Sequence, residues 1–287
     1  MKIRILYEDK DTLVIDKPSG IATHSNGKNK EETIVDWFIK KYPEAKNIGE
    51  SIFIEEKEIE KPGIVHRLDK ETSGVLILAK NQKAHEFFKK QFSAPALELK
   101  TKSGLTDRQN RIKKTYLAIV ESWPKNNSGI INKPIGRSSA DFRKRLAGRG
   151  ARGELREAIT EWKVLKRFEM PVKISENYAL RHSHSVLERQ DPAGRSEDSF
   201  EYNFQKFSLL EISPKTGRTH QIRVHLKYLS YPIVCDLLYN PKGLCPKRLS
   251  RLGLHAKSIE FTNLEGKRIK IESEIPPEFK RLLNSEY

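Results

Sequence analysis

The chain has 287 residues, enough for one large domain or two ordinary ones. Its 54 Lys and Arg against 38 Asp and Glu leave a charge of +16 and a pI near 9.7, which favours a polyanionic partner such as RNA, DNA or an anionic membrane surface. No stretch approaches the roughly 20 apolar residues of a membrane helix, and the charged N-terminus does not read as a signal peptide. Cys235 and Cys245 are too few for a disulfide framework. These features predict a soluble, cytoplasmic protein with two thiols.

In chain order, KIRILYE (2–8) and TLVIDK (12–17) read as strands across the turn Asp9-Lys10-Asp11. A Gly-, Ser- and Asn-rich loop follows, PSGIATHSNGKNK. ETIVDWFIKKYP (32–43) carries Ile34, Val35, Phe38 and Ile39 on one helical stripe, with Pro43 closing it. Strands are expected over 63–66 and 74–79, on either side of a polar turn. NQKAHEFFKKQF (81–92) reads as a helix capped by Asn81, with Ala84, Phe87, Phe88 and Phe92 inward. Strands are expected over 113–122, 156–168 and 206–213, then a helix within 216–232. Two more strands, 254–262 and 267–274, flank the Asn263–Gly266 turn, and a short helix starting at proline ends the chain.

Strands outnumber helices and show no regular β-α alternation. That pattern predicts an α+β fold with a mainly antiparallel sheet. Three stretches, 93–110, 138–155 and 176–203, read as inserted loops. The middle one carries Arg143, Lys144, Arg145, Arg149 and Arg152 with no acid between them. Its glycines predict flexibility. Its charge suits RNA backbone contact, against the plainer reading of a solvated loop.

Two superficial motifs fail on inspection. HRLDKETSG is similar to a kinase catalytic loop, but Leu68 separates Arg67 from Asp69, no glycine-rich loop precedes it, and Asp141-Phe142 is followed by Arg143. His182 and His184 lie in a polar segment. On a helix, His220 and His225 would point apart, and the cysteines are not in a zinc-knuckle spacing. No metal is expected.

Five stretches then come in order: VIDKPSGIATHS (14–25), VHRLDKETSGVLILAK (65–80), KKTYLAIVES (113–122), ISPKTGRTHQIRVHLKYLSYPIVCD (212–236) and LGLHAKSIEF (252–261). Together they closely resemble RluA-type RNA pseudouridine synthases. The pairing of HRLDxxTSG with a later GRTHQIRxH carries the resemblance; a lone KPSG would mean little. The resemblance implies an isomerase that breaks the N1–C1′ bond of a uridine in ribosomal RNA or tRNA, turns the base, and joins C5 to C1′. It implies a bent, mainly antiparallel sheet crossed by an RNA cleft, with no cofactor, and the chain is expected to act as a monomer. It makes Asp69 the catalytic carboxylate, sets Tyr116 against the target base, pairs Arg218 with Asp69, and lets Arg67 fill the place of the flipped nucleotide. Arg143, Lys144 and Arg145 are expected to contact the RNA backbone.

Departures from the family pattern fall on the substrate side. The pattern starts within the first 20 residues, so one catalytic domain spanning 1–287 is expected, without an S4-type RNA-binding domain. The family's usual Gly-Asp reads Cys235-Asp236, and its Tyr-Gly step reads Tyr239-Asn240.

Physical chemistry explains the arrangement. A stacked base must leave the stack before it can be turned, at a cost of a few kcal/mol. Phosphate contacts and counterion release offset that cost. A short aspartate must be held rigidly, and the apolar run Val75–Ala79 supplies an anchor buried on both faces. Thr72 and Ser73 are expected to hydrogen-bond the turn backbone, with Gly74 allowing a tight bend. The competing class is an RNA-binding protein without activity. The intact Asp69, Tyr116 and Arg218 favour the enzyme.

Overall fold

The computed structural model describes residues 1–25, 27, 31–50, 52–54, 57–59, 61–93, 111–173 and 202–284. The chain opens with β1 (Arg4–Glu8) and β2 (Thr12–Lys17), an antiparallel pair. Helix α1 (Ile34–Lys41) starts at a capping box. Thr33 Oγ1 accepts from the Asp36 amide and Asp36 accepts from the Thr33 amide, so two orphan donors are satisfied reciprocally. Pro43 does more than close the helix, since it opens a 3₁₀ turn, Pro43–Asn47. Strands β3 (Ile52–Ile54) and β4 (Lys57–Ile59) form a small separate pair.

The strand expected at 63–66 is reduced to a single bridge between Ile64 and Leu78. Gly63 is in the left-handed region at φ 68°, so the chain turns there instead of extending. Then come β5 (Ser73–Ala79) and α2 (Gln82–Ser93), where Asn81 Oδ1 accepts the Ala84 amide at 2.9 Å as an N-cap. β6 (Lys113–Glu121), β7 (Ser128–Asn132) and β8 (Ile135–Ser138) follow.

The stretch 138–155 is not the flexible loop expected from its glycines. β9 (Arg145–Ala147) and β10 (Ala151–Arg156) join β8 in a three-stranded sheet. Gly148 and Gly150 lie in the β9–β10 connection with positive φ, where the chain crosses from one side of β8 to the other. The other two expected insertions lie outside the described residues, save for Ser93 and the first residues of a later strand.

β11 (Ile159–Lys173) and β12 (Tyr202–Pro214) make a long antiparallel ribbon. The helix expected within 216–232 is shorter, α3 (Gln221–Tyr228), because His220 at φ 56° breaks the chain just before it. β13 (Leu254–Thr262), β14 (Arg268–Glu272) and α4 (Pro277–Leu283) complete the chain.

The main sheet runs β1-β2-β5-β13-β6-β12-β11-β7, with β14 on β13. Among the described residues only β5 and β13 pair in parallel. The rest is antiparallel, as the α+β reading requires. Alternation along the inner strands explains their unbroken apolar runs. On β5, Leu76 and Leu78 face one core with Leu13, Phe38 and Tyr116, while Val75 and Ile77 face a second with Phe88 and Phe261. Each such side chain is worth roughly 1.5–3 kcal/mol of burial. Gly74 marks the parallel junction. A Cβ there would lie 2.2 Å from the Ala256 carbonyl, and its φ of 110° suits glycine, so no other residue fits.

Candidate active site

Asp69 lies on the turn that enters β5. Leu68 anchors it in the core, and Thr72 donates its amide to the Asp69 carbonyl at 3.1 Å. The 17–23 loop holds the turn from outside. Thr23 Oγ1 donates to the Leu68 carbonyl at 2.8 Å, Gly20 donates its amide to Lys70 O at 2.8 Å, and Ser19 Oγ donates to Glu71 O at 2.6 Å. Lys17 is fully buried below. Its Nζ donates to the carbonyls of Pro18, Ile21 and Lys70 at 2.9, 2.7 and 3.1 Å, matching the three donors of an ammonium. Burial pushes this lysine down to about 7, against the pull of Asp69 and Glu71. Nothing in the sequence alone assigned Lys17 a role. Its cage exists only once the two segments meet.

Thr72 and Ser73 do not bond the turn as expected. Thr72 Oγ1 makes no hydrogen bond, and Ser73 Oγ turns to His255 Nδ1 at 2.9 Å across the parallel junction. His66 anchors the turn to β5 instead, its Nε2 accepting the Ile77 amide at 3.1 Å. Burial lowers His66 to about 3, so it is neutral and able to accept.

The arginine paired with Asp69 is Arg223, not Arg218. Arg223 Nη1 donates to Asp69 Oδ2 at 3.3 Å. Its Nε and Nη2 form a two-pronged bond to Asp236, at 2.9 and 2.7 Å. Arg223 and Asp236 are 5% and 1% exposed. Burial works to lower the guanidinium, yet the bonds and charge of Asp236, and then of Asp69, outweigh it and raise its pKa. The Tyr239 ring lies under the guanidinium at 5.2 Å.

The break at His220 decides between the two arginines. Arg223 sits on the first turn of α3, facing the core. Arg218 precedes the break and is exposed, its Nε donating to the Glu157 carbonyl at 2.9 Å. A cation is unfavourable at a helix N-terminus. That points to a carboxylate partner for Arg223, on the first turn of α3, as much as for Arg218.

Asp69 keeps one oxygen away from this lock. Oδ1 faces His220 Nε2 at 3.9 Å. His220 Nδ1 meets Tyr239 Oη at 2.9 Å, and Tyr239 Oη accepts the Arg145 amide at 2.9 Å. The Tyr239 hydroxyl proton is then directed to Nδ1, which leaves the Nε2 proton facing Asp69. Burial lowers His220, with Asp69 opposing.

The cleft above measures about 510 Å³, a size for a flipped nucleotide. Arg67, Asp69, Lys114, Tyr116 and Arg218 line it. Tyr116 comes from β6, opposite Ala256 on β13, and burial followed by the charge of Asp69 raises its hydroxyl well above the ordinary tyrosine range. Lys114, half-buried two residues earlier, is lowered to about 8 by burial and the Arg111 charge.

Arg67 is exposed at the rim, its Nη1 donating to His24 Nε2 at 3.1 Å. Burial holds His24 down at about 4, and the ring donates Nδ1–H to the Ser25 carbonyl at 2.7 Å, which leaves Nε2 as an acceptor. His24 thus positions Arg67, a role the sequence did not suggest. Arg143, Lys144 and Arg145 are not at the cleft floor. Arg143 and Lys144 lie on the turn that leads into β9, and Arg145 opens β9 and is tied to the site by its amide, which donates to Tyr239 Oη.

The expected pair of free thiols is also corrected. Cys235 and Cys245 are disulfide-bonded, with Cα atoms 4.5 Å apart. Ten residues of sequence separate them, but the chain folds back, and the bond closes the loop that carries Asp236 and Tyr239. Among the described residues no cluster of His, Cys, Asp and Glu is placed to hold a metal, and no helix is long and apolar enough to cross a membrane.

Comparisons with known proteins address the family and the fold. A family model described as RNA pseudouridylate synthase matches residues 11–228. The chain is 32% identical over 285 residues to a ribosomal large subunit pseudouridine synthase D of Borreliella burgdorferi, covering 99% of this chain and 69% of that one. It is 30% identical to an uncharacterized RNA pseudouridine synthase, YlyB, of Bacillus subtilis, covering 99% and 73%. Among solved structures, human RNA pseudouridylate synthase domain containing 4 shares the fold, with a TM-score of 0.60 at 23% identity over 98% of this chain and 91% of that one.

Proposed function

This chain belongs to the RNA pseudouridylate synthase family and isomerises uridine to pseudouridine in RNA, and on that premise we propose that Asp69 is its catalytic carboxylate and that large-subunit ribosomal RNA is its substrate. The observation that carries the first part is the division of labour at Asp69. Oδ2 is engaged by the buried Arg223, while Oδ1 faces the cleft side with His220. One oxygen holds the carboxylate in place and the other is offered to the nucleotide.

The sequence of events follows from the same groups. A uridine leaves its stack and enters the cleft. Tyr116 presents an aromatic ring to the uracil, and Arg67, held by His24, occupies the vacated stack with its flat guanidinium. Oδ1 of Asp69 acts beside the sugar, where the N1–C1′ bond breaks and the C5–C1′ bond forms, C5 giving up its proton to water and N1 taking one up. Arg223 supplies the opposite charge that a carboxylate under a dry base requires. Arg143, Lys144 and Arg145 contact phosphates beside the cleft. Turnover is expected to survive EDTA, and its loss on chelation with restoration by zinc would overturn that expectation.

The RNA class is supported by relatives such as the Borreliella burgdorferi protein, whose name specifies the large ribosomal subunit. The test is tritium release from 5-³H-uridine-labelled transcripts of large-subunit ribosomal RNA and of tRNA, with wild-type protein and with Asp69→Asn. Release from the ribosomal transcript by the wild type alone is expected. Release from tRNA only would overturn the substrate, and release by Asp69→Asn at the wild-type rate would overturn the catalytic role.

A further inference from the structure

We propose that Phe142 is a base-stacking residue: together with Leu237 it forms an apolar rim beside the cleft that takes an unpaired base of the RNA next to the target uridine. The inference rests on the chain acting on RNA. It adds a contact that neither the catalytic turn nor the phosphate-binding cations supply.

The first observation is exposure. Phe142 is 83% exposed and Leu237 80%, the two most exposed large apolar side chains among the described residues. The second is rigidity. The Ala140 and Asp141 amides donate to Ser138 Oγ at 3.2 and 3.3 Å, and the Arg143 amide donates to Asp141 Oδ1 at 3.0 Å. The Lys144 amide closes the turn onto the Asp141 carbonyl at 2.9 Å. A turn bonded at four points fixes the backbone from which the ring projects, so less entropy is lost when a base stacks on it than on a mobile loop.

The third observation is charge. Arg143 follows Phe142 directly, and Arg145 Nη1 reaches the Phe142 carbonyl at 3.4 Å. Arg137, Arg149 and Arg152 are exposed on the same three-stranded sheet. An aromatic ring set among cations is the composition that holds single-stranded nucleic acid, because every base has a face to stack and a phosphate beside it. An acidic peptide would match the cations but leave the exposed ring without a flat face to stack on, and a purely apolar partner would leave the cations unpaired.

The fourth observation is place. Phe142 is three residues from Arg145, at most roughly 11 Å of chain. The Arg145 amide bonds Tyr239 Oη, which bonds His220, which faces Asp69. Leu237 sits between Asp236 and Tyr239 on the partner loop. The two apolar side chains therefore project from the two loops joined by the Arg145–Tyr239 bond, at the edge of the site. A base stacked there belongs to a nucleotide close to the one in the cleft.

The experiment is filter binding of full-length protein to a fluorescent RNA stem-loop carrying the target uridine in its loop, and to the same sequence in a perfect duplex, across a salt series. The variants are Phe142→Ala, Phe142→Trp and Leu237→Ala, each with a melting curve. Stacking on single bases predicts that Phe142→Ala weakens stem-loop binding roughly fivefold to a hundredfold, while the slope of log K against log salt stays that of the wild type. Phe142→Trp restores affinity, Leu237→Ala gives a smaller loss, and the duplex is affected little.

Stem-loop binding within twofold of the wild type for Phe142→Ala would overturn the proposal. So would an equal loss on the duplex, or a loss that appears only as a changed salt slope. A change in sedimentation mass with unaltered RNA binding would make the rim a contact between copies of the chain, which also overturns it. Because binding is measured without turnover, failure here is separable from failure of the catalytic role of Asp69.

Discussion

Two arginines grip an aspartate in nearly the same way. Arg223 Nε and Nη2 reach the two oxygens of Asp236 at 2.9 and 2.7 Å, and Arg143 Nε and Nη2 reach those of Asp141 at 3.0 and 2.9 Å. Their surroundings differ completely. Side-chain exposure is 5% and 1% in the first pair, against 65% and 21% in the second. The buried fork is a fixed part of the scaffold, since a guanidinium out of water must keep its carboxylates. The exposed fork is screened by water and salt and holds little together. It shapes a turn and leaves its cation open to a phosphate. The same geometry is locked into the scaffold in one region and left open to solvent in the other, and burial decides which.

The largest effect is expected at the buried fork. Arg223→Ala leaves Asp236 and Asp69 without their cation, and breaking a buried pair of this kind costs about 3–5 kcal/mol. For a domain of this size that is a melting point lower by roughly 6–20 °C, together with loss of turnover. Arg143→Gln is expected to melt within about 1 °C of the wild type, because surface pairs contribute little. Calorimetry of the two variants side by side checks the contrast, and equal melting points for both would break it.

The exposed region shows itself in binding instead. Replacing Arg143, Lys144 and Arg145 together by Gln is expected to weaken RNA of any sequence, and to flatten the plot of log K against log salt by up to about 0.7–0.9 for each lost phosphate contact. Arg223→Lys, whose charge is kept and shielded from solvent, is expected to leave that slope unchanged. A salt slope unaltered by the triple substitution would reduce the β8–β9–β10 sheet to a solvated ornament.

The smallest effect concerns His24, the group behind Arg67. Its folded pKa of about 4 lies below the ordinary 6.5. Between those values the unfolded chain binds a proton that the folded chain does not, so stability falls as pH drops from about 6.5 towards 4. His66 and His255, each held at about 3 by burial, add to the same slope. The wild type is therefore expected to melt lower at pH 5 than at pH 7, and His24→Gln to lose less over that interval. An identical loss in both proteins would show that His24 is not buried against Arg67 as described.

Much of this was legible in the chain. The run Val75–Ala79 is apolar at every position because both faces of β5 are covered, and the polar turn before it marked Asp69 as the residue so anchored. The place of Tyr116 in the cleft lining was legible from its motif. Other features were not, each for a physical reason. GRTHQIR offers two arginines, and only the left-handed break at His220 determines that Arg223 faces Asp69 while Arg218 turns to Glu157. The β10 strand is exposed almost throughout, so it lacks the alternation that betrays a half-buried strand and reads as a loop. The Cys235–Cys245 bond and the Lys17 cage depend on chain segments meeting in space, which spacing along the sequence does not encode.

The most direct measurement of the central claim is single-turnover tritium release by Asp69→Asn, run beside a filter-binding curve and a melting curve. Asparagine keeps the volume and the turn-forming hydrogen bonds of aspartate and removes only its charge. The account predicts that turnover vanishes while the melting point stays near that of the wild type and RNA affinity is equal or higher, since a negative charge has left the cleft. Turnover near the wild-type rate would contradict it, and would make Asp69 a residue that shapes the turn without taking part in the chemistry.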